Sequence, residues 1–188
     1  MALVVGLTGG IGSGKSEALQ SFARHGAATL SSDQMVRELY ERADVRRAVA
    51  EHFGPGALDA SGSVDRAVIA ERVFSDEAER RWLEALLLPM LADRFADWRD
   101  QRLAAGDELL VHEAPTLFEA GIEDRYDMIV LVTAPADVRE SRRPGAAERM
   151  AHQLPEDEKA ARSDVVYENT GSLEDLDRWV AALVSRLT

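Results

Sequence analysis

Cysteine is absent from the 188 residues, so neither a disulfide framework nor a thiolate metal site can be built. Histidine is sparse: His25, His52, His112 and His152 show no close ligand-like pairing, which leaves no basis for a structural zinc. No uninterrupted apolar run approaches the length needed to cross a bilayer. Positive charge is in deficit, with 22 Lys and Arg against 34 Asp and Glu and a net charge of -12. Nucleic-acid backbones demand a positive footprint, so a broad nucleic-acid interface is excluded, and an anionic substrate must be met by local positive potential. Lysine is the scarcest cation: only Lys15 and Lys159 occur, and arginine fills every other basic position. Genomic base composition explains most of that bias, yet Lys15 falls in a glycine-rich loop where a compact ammonium suits a point contact to phosphate. The opening MALVVGLTGG has no basic leader and turns to glycine too soon for a signal peptide, so a cytoplasmic protein is expected.

What is present is the composition of an ordinary globular chain, 46% apolar and 30% charged, long enough for one domain with a small inserted subdomain. LVVGLT reads as a buried strand, KSEALQSFARHG as a helix closed by Gly26, and AATL as a second strand. Ser32 or Asp33 is positioned to cap the next helix, SDQMVRELYE. Residues 44–102 are mostly helical around a loop at FGPGALDASGS, and Trp82, Leu83, Leu86, Leu87, Met90, Leu91 and Phe95 mark one core face. ELLVHEAP, YDMIVLVTAP and DVVYEN supply three further strands, and LEDLDRWVAALVSRL a closing helix. EDE at 156–158 reads as a solvated helix start. Strands alternating with helices predict an α/β fold with a parallel sheet covered on both faces. The expected organisation is a core of residues 1–43 and 107–188, a helical subdomain at 44–106 and a lid near 137–153.

Residues 9–16, GGIGSGKS, fit G-x-x-x-x-G-K-[ST] in full. Average residue usage makes a chance match rare, on the order of one per cent. The motif also lies between a predicted strand and a predicted helix, as a phosphate cradle requires. Glycines let successive backbone N–H groups converge on an anion, and the helix start adds partial positive charge. Gly10, Ile11, Gly12, Ser13, Gly14 and Glu17 would surround ATP, Lys15 would reach the β- and γ-phosphates, and Ser16 would bind Mg²⁺. GTPases, motor ATPases and small-molecule kinases all use such a loop, so it does not choose among them.

A small-molecule kinase adds a carboxylate at the acceptor hydroxyl, arginines on the transferring phosphoryl group and a cover that excludes water. Asp33 follows the second strand at its carboxyl end, where open α/β sheets bind ligands. It is the candidate base, with helix capping as the competing role. RESRRPGAAER at 139–149 carries four arginines around a Pro-Gly break and reads as a lid. Arg142 is its candidate for ATP. Glu113, at a strand end, is a second acidic group that would orient Mg²⁺ through water.

Taken together these segments resemble the dephospho-coenzyme A kinases over nearly the whole chain. The resemblance is carried by GLTGGIGSGKS, SSDQMVREL, FGPGALDASGSVDRAVIAERVF, LEALLLP, PTLFEAG, YDMIVLV and AERMAHQLPEDEKAARSDVVYENTGSLEDL. It implies a P-loop kinase fold of three α/β/α layers with a helical substrate domain and a short lid. It implies transfer of the γ-phosphate of ATP to the ribose 3′-hydroxyl of dephospho-coenzyme A, with Mg²⁺ as cofactor. By the same resemblance Asp33 is the general base, Arg149 a catalytic lid arginine, and Asn169 near the adenine. Leu88, Pro115, Leu117 and Phe118 would line the acceptor's approach. No nucleic-acid or membrane partner is expected, and the oligomeric state stays open, a monomer being compatible with the sequence.

The chain departs from the family pattern at Ser31, where Asp is usual, at Leu88 in place of His, at Glu17 in place of Thr, at Thr116 in place of Leu, and at Glu113 in place of Asp. These changes concentrate around the acceptor side and the lid. A kinase of another ribosyl or nucleoside-like hydroxyl therefore remains the alternative enzyme, and a nucleotide-binding regulatory module the alternative of a different class. A GTPase lacks support, because no N-K-x-D-like segment is present.

Overall fold

The computed structural model describes residues 2–146, 150 and 153–188. Five parallel strands form the sheet in the order β2-β3-β1-β4-β5: β1 Leu3–Thr8, β2 Ala28–Ser31, β3 Leu109–Glu113, β4 Met128–Thr133 and β5 Val165–Glu168. The helices are α1 Lys15–Arg24, α2 Ser32–Glu41, α3 Ala43–Phe53, α4 Arg66–Ser75, α5 Glu77–Ala105, α6 Ala136–Arg142, α7 Glu156–Ala161 and α8 Leu173–Leu187. Alternation along the strands divides the sheet's two faces. Val5, Leu7, Leu109, Val111, Val130 and Val132 pack with Phe22 of α1 and with Leu176, Val180 and Leu183 of α8. The opposite face carries Ile129 with Ala114, Leu117 and Phe118. Ser21 Oγ donates to Asp177 Oδ1 at 2.6 Å, tying α1 to α8. A capping box at Ser172 and Asp175 starts α8.

The chain separates into two compact units, residues 1–32 with 99–188, and Asp33–Trp98. The division falls at 33 and 98, where the sequence pattern placed it at 44 and 106. The first unit holds the sheet. The second is helical, and its core joins Leu39, Val45, Val49, Phe53, Ile69 and Leu87. Trp82, Leu83, Leu86, Met90 and Leu91 pack against that core as the helical spacing predicts. Asp65 caps α4 by accepting from Ala67 N and Val68 N at 3.0 and 3.2 Å.

Two local expectations are corrected. α2 begins at Ser32, so Asp33 lies inside its first turn, and neither residue is the cap. The Ser32 hydroxyl instead meets His112 Nε2 at 2.9 Å. At the start of α7, Glu156 is not simply solvated, because it pairs with Arg139 at 2.6 Å.

Candidate active site

The loop of residues 9–14 leaves the carboxyl end of β1 and enters α1 at Lys15. Its backbone admits only glycine at two places that matter. Gly14 is left-handed at φ 101, and a Cβ there would stand 2.3 Å from Asn169 Nδ2. Gly12, at φ 79, lies under the backbone of Arg139, whose carbonyl would be 2.7 Å from a Cβ. The Lys15 side chain is buried, and its Nζ donates to Gly10 O at 2.8 Å, so the ammonium lies folded over the loop. Ser13 is fully buried, and among the described residues its Oγ has no hydrogen-bond partner. Ser16 and Glu17 are exposed in the first turn of α1, and Ile11 is half-buried.

Asn169 is buried, and its Nδ2 donates to Ser13 O at 2.8 Å, while its backbone N donates to Thr133 O at 2.7 Å. The side chain thus braces the loop. Of the arginines between 139 and 149, Arg142 Nη1 reaches Gly12 O at 3.5 Å, the long limit of a hydrogen bond. Arg139 sits closer. Its Nη1 would be 2.8 Å from a Cβ on Gly10, and the guanidinium is held by Glu156. Arg149 lies outside the described residues.

At the carboxyl ends of β2 and β3 the structure places acidic and hydroxyl groups together. Ser31 pairs in register with Glu113, and Ser31 Oγ donates to Glu113 Oε2 at 2.8 Å. Glu113 is 3% exposed, so the hydroxyl answers much of the need of a buried carboxylate for donors. Beside it, His112 bonds Ser32 Oγ through Nε2 at 2.9 Å and the Tyr126 hydroxyl through Nδ1 at 2.8 Å. Burial is the main cause that pushes the His112 imidazole down to about 4, with Arg125 adding to it, so the ring is neutral at physiological pH. Burial likewise pushes the Tyr126 phenol above its ordinary value. This polar chain was not legible in the sequence, because its members are far apart along it and no motif joins them.

The residues assigned to the acceptor differ in accessibility. Leu88 on α5 is 48% exposed, and Pro115 is half-buried just beyond β3. Leu117 and Phe118 are buried, at 0% and 4%, in the cluster with Ala114 and Ile129. They back the connection after β3 from inside, because apolar side chains at those two positions complete the core face of the sheet.

Residues 3–175 match the family model of the dephospho-CoA kinases. The dephospho-CoA kinase of Syntrophotalea carbinolica is 40% identical over 98% of this chain and 92% of its own length. A crystal structure from Thermus thermophilus superposes with a TM-score of 0.82 at 34% identity, covering 100% of this chain and 98% of that one. The dephospho-CoA kinase of Campylobacter jejuni shares the fold, with a TM-score of 0.69 at 18% identity over 100% of this chain and 98% of its own.

Proposed function

The chain belongs to the dephospho-CoA kinase family, and on that premise we propose that Asp33 is the general base of its reaction, transfer of the γ-phosphate of ATP to the ribose 3′-hydroxyl of dephospho-CoA. The observation that carries the reading is the complete GGIGSGKS loop between β1 and α1, with the buried Lys15 ammonium lying over it. Backbone N–H groups and Lys15 bind the phosphates, while Arg142 and Arg149 are assigned to the charge that spreads over the transferring group. Asp33 accepts the proton of the attacking hydroxyl. Leu88 and Pro115 offer apolar surface to the acceptor.

The residues present fit Mg²⁺. Ser16 Oγ and the Glu113 carboxylate are hard oxygen donors, and an ion that arrives with the nucleotide needs few protein ligands. Among the described residues no group of three His, Asp or Glu is placed to hold a metal without it. Ser16 would bind the ion directly, and Glu113 would orient it through water. Bound there, the ion supplies neutralising charge to the β- and γ-oxygens. A cytoplasmic location is part of this proposal; among the described residues no helix is long and apolar enough to cross a membrane.

The test is ADP release with Mg-ATP, with and without dephospho-CoA, and mass analysis of the product. ADP formed in step with coenzyme A is expected. ATP binding with no turnover of this acceptor would replace it with another nucleoside-like hydroxyl. In the same assay Asp33→Asn should lower kcat by about 10²–10⁴ with ATP affinity retained. An equal loss of ATP binding would move Asp33 to a metal or structural role.

A further inference from the structure

The second of the two lysines has no part in the chemistry above, yet it is the more deeply buried. Lys159 on α7 is 0% exposed. Its Nζ forms an ion pair with Glu119 Oε1 at 2.8 Å and donates to Gln153 Oε1 at 3.1 Å. Glu119 Oε1 also accepts from Leu154 N at 2.9 Å. Removing an ammonium from water is costly, and an apolar side chain of similar volume would fill the space at less expense to stability. What a buried charge adds is register, since it tolerates only one arrangement of its partners.

Here the partners define which segments are registered. Glu119 belongs to the connection after β3, whose turns close through Ala120 N to Thr116 O and Ile122 N to Leu117 O. Leu117 and Phe118 anchor that connection from below, and the Arg162 guanidinium, just past α7, lies 4.7 Å from the Phe118 ring centroid. One turn before Lys159, Glu156 pairs at 2.6 Å with Arg139, the guanidinium that abuts Gly10 of the phosphate loop. One short helix therefore holds the connection after β3 through Lys159 and, through Glu156, the α6 residue Arg139 that abuts the phosphate loop.

We propose that Lys159 is a positioning residue which, through Glu119, sets the Pro115 connection for dephospho-CoA, while Glu156 on the same helix holds Arg139 at the phosphate loop for ATP. The first half rests on the reading that the Pro115 connection meets the acceptor. Lys159 touches neither substrate, so its effect is on geometry, and a displacement well under the length of a bond to substrate is enough to be read in kinetics.

The experiment is steady-state kinetics with each substrate varied, together with thermal unfolding, on Lys159→Met, Glu119→Gln, Glu156→Gln and Pro115→Ala. Lys159→Met and Glu119→Gln should raise KM for dephospho-CoA about tenfold and leave KM for ATP within about twofold. Glu156→Gln should do the reverse. A lower Tm with both KM values unchanged would make the pair purely structural and overturn the proposal. If Lys159→Met fails to fold, the double variant Lys159→Met with Glu119→Leu leaves neither charge alone. It should fold and keep the raised acceptor KM, and a return to the wild-type value would overturn the proposal. Pro115→Ala separates the two layers. If it shifts acceptor KM and Lys159→Met does not, the positioning role falls and the acceptor reading stands. If neither shifts it, both fall.

Discussion

The sheet unit and the helical unit solve burial in opposite ways. Among the described residues, Thr8, Ser13, Lys15, Ser21, His112, Glu113, Lys159 and Asn169 are the buried polar or charged side chains, and all of them lie in the sheet unit. Within Asp33–Trp98 the buried side chains are apolar or aromatic throughout. A parallel sheet supplies a reason. Its strands end together at one edge, so loops with free backbone groups and short polar side chains converge there and must satisfy one another. Amphipathic helices close their own hydrogen bonds internally and ask only for an apolar face. The lesson is that mutation should separate the two regions: apolar truncation in the helical unit should act on stability, and polar substitution in the sheet unit on activity or its conditions.

The largest expected effect tests the helical side. Phe53 is 4% exposed, packs edge-on to Trp82 at 5.4 Å between centroids and lies in the cluster with Val45 and Val49. Phe53→Ala should cost about 3–5 kcal/mol of stability, read by denaturant unfolding, with kcat of the folded fraction little changed. A stable variant with lost turnover would break the comparison.

Next comes the cradle. Lys15→Ala removes the ammonium that lies over Gly10 and should lower kcat/KM for ATP by about 10²–10³, with a Tm close to that of the wild type. Unchanged kinetics would sink the assignment of the loop. A large fall in Tm would show that a buried cation can serve packing in the sheet unit as well.

The smallest effect sharpens the contrast through pH. His112 is neutral when folded and is held down to about 4, whereas the unfolded side chain titrates near 6.5. Between those values the unfolded chain binds the proton and the folded chain does not, so stability falls as pH drops from about 6.5 toward 4. The loss reaches roughly 3 kcal/mol once pH is below both values. His112→Gln should lack this component. Urea unfolding of both proteins at pH 7 and pH 4.5 checks it: the wild type should lose more stability than the variant, and equal losses would show that the ring is not held neutral.

Much of the fold was legible because it repeats a local rule. β1 and β4 are apolar runs of six residues, and α1 begins at the lysine that the motif places at a helix start. The glycines of the loop were also readable, since a full GxxxxGKS leaves little freedom. The start of α2 differs from the sequence expectation: Ser32 and Asp33 have capping side chains, but the helix begins at Ser32, whose hydroxyl is turned to His112. Asn169 was placed by resemblance near the adenine, and the fold brings its amide against Ser13 O, 156 residues away in sequence. For Lys159 the one signal was rarity. Its partner, Glu119, is an unremarkable acid in a loop.

The sequence by itself therefore determined the parallel α/β class, through strands alternating with helices, and the complete GGIGSGKS loop between β1 and α1, through neighbours within a few positions; Asp33 it offered only as a candidate base. Only the tertiary structure decided which partners meet the buried polar groups: Ser31 at Glu113, Ser32 and Tyr126 at His112, and Glu119 at Lys159. Those pairings depend on strand order and register, in which β3 inserts between β2 and β1 although it follows both in the chain. Burial raises the cost of leaving a polar group unpaired, and which groups become buried neighbours is a property of how distant segments pack.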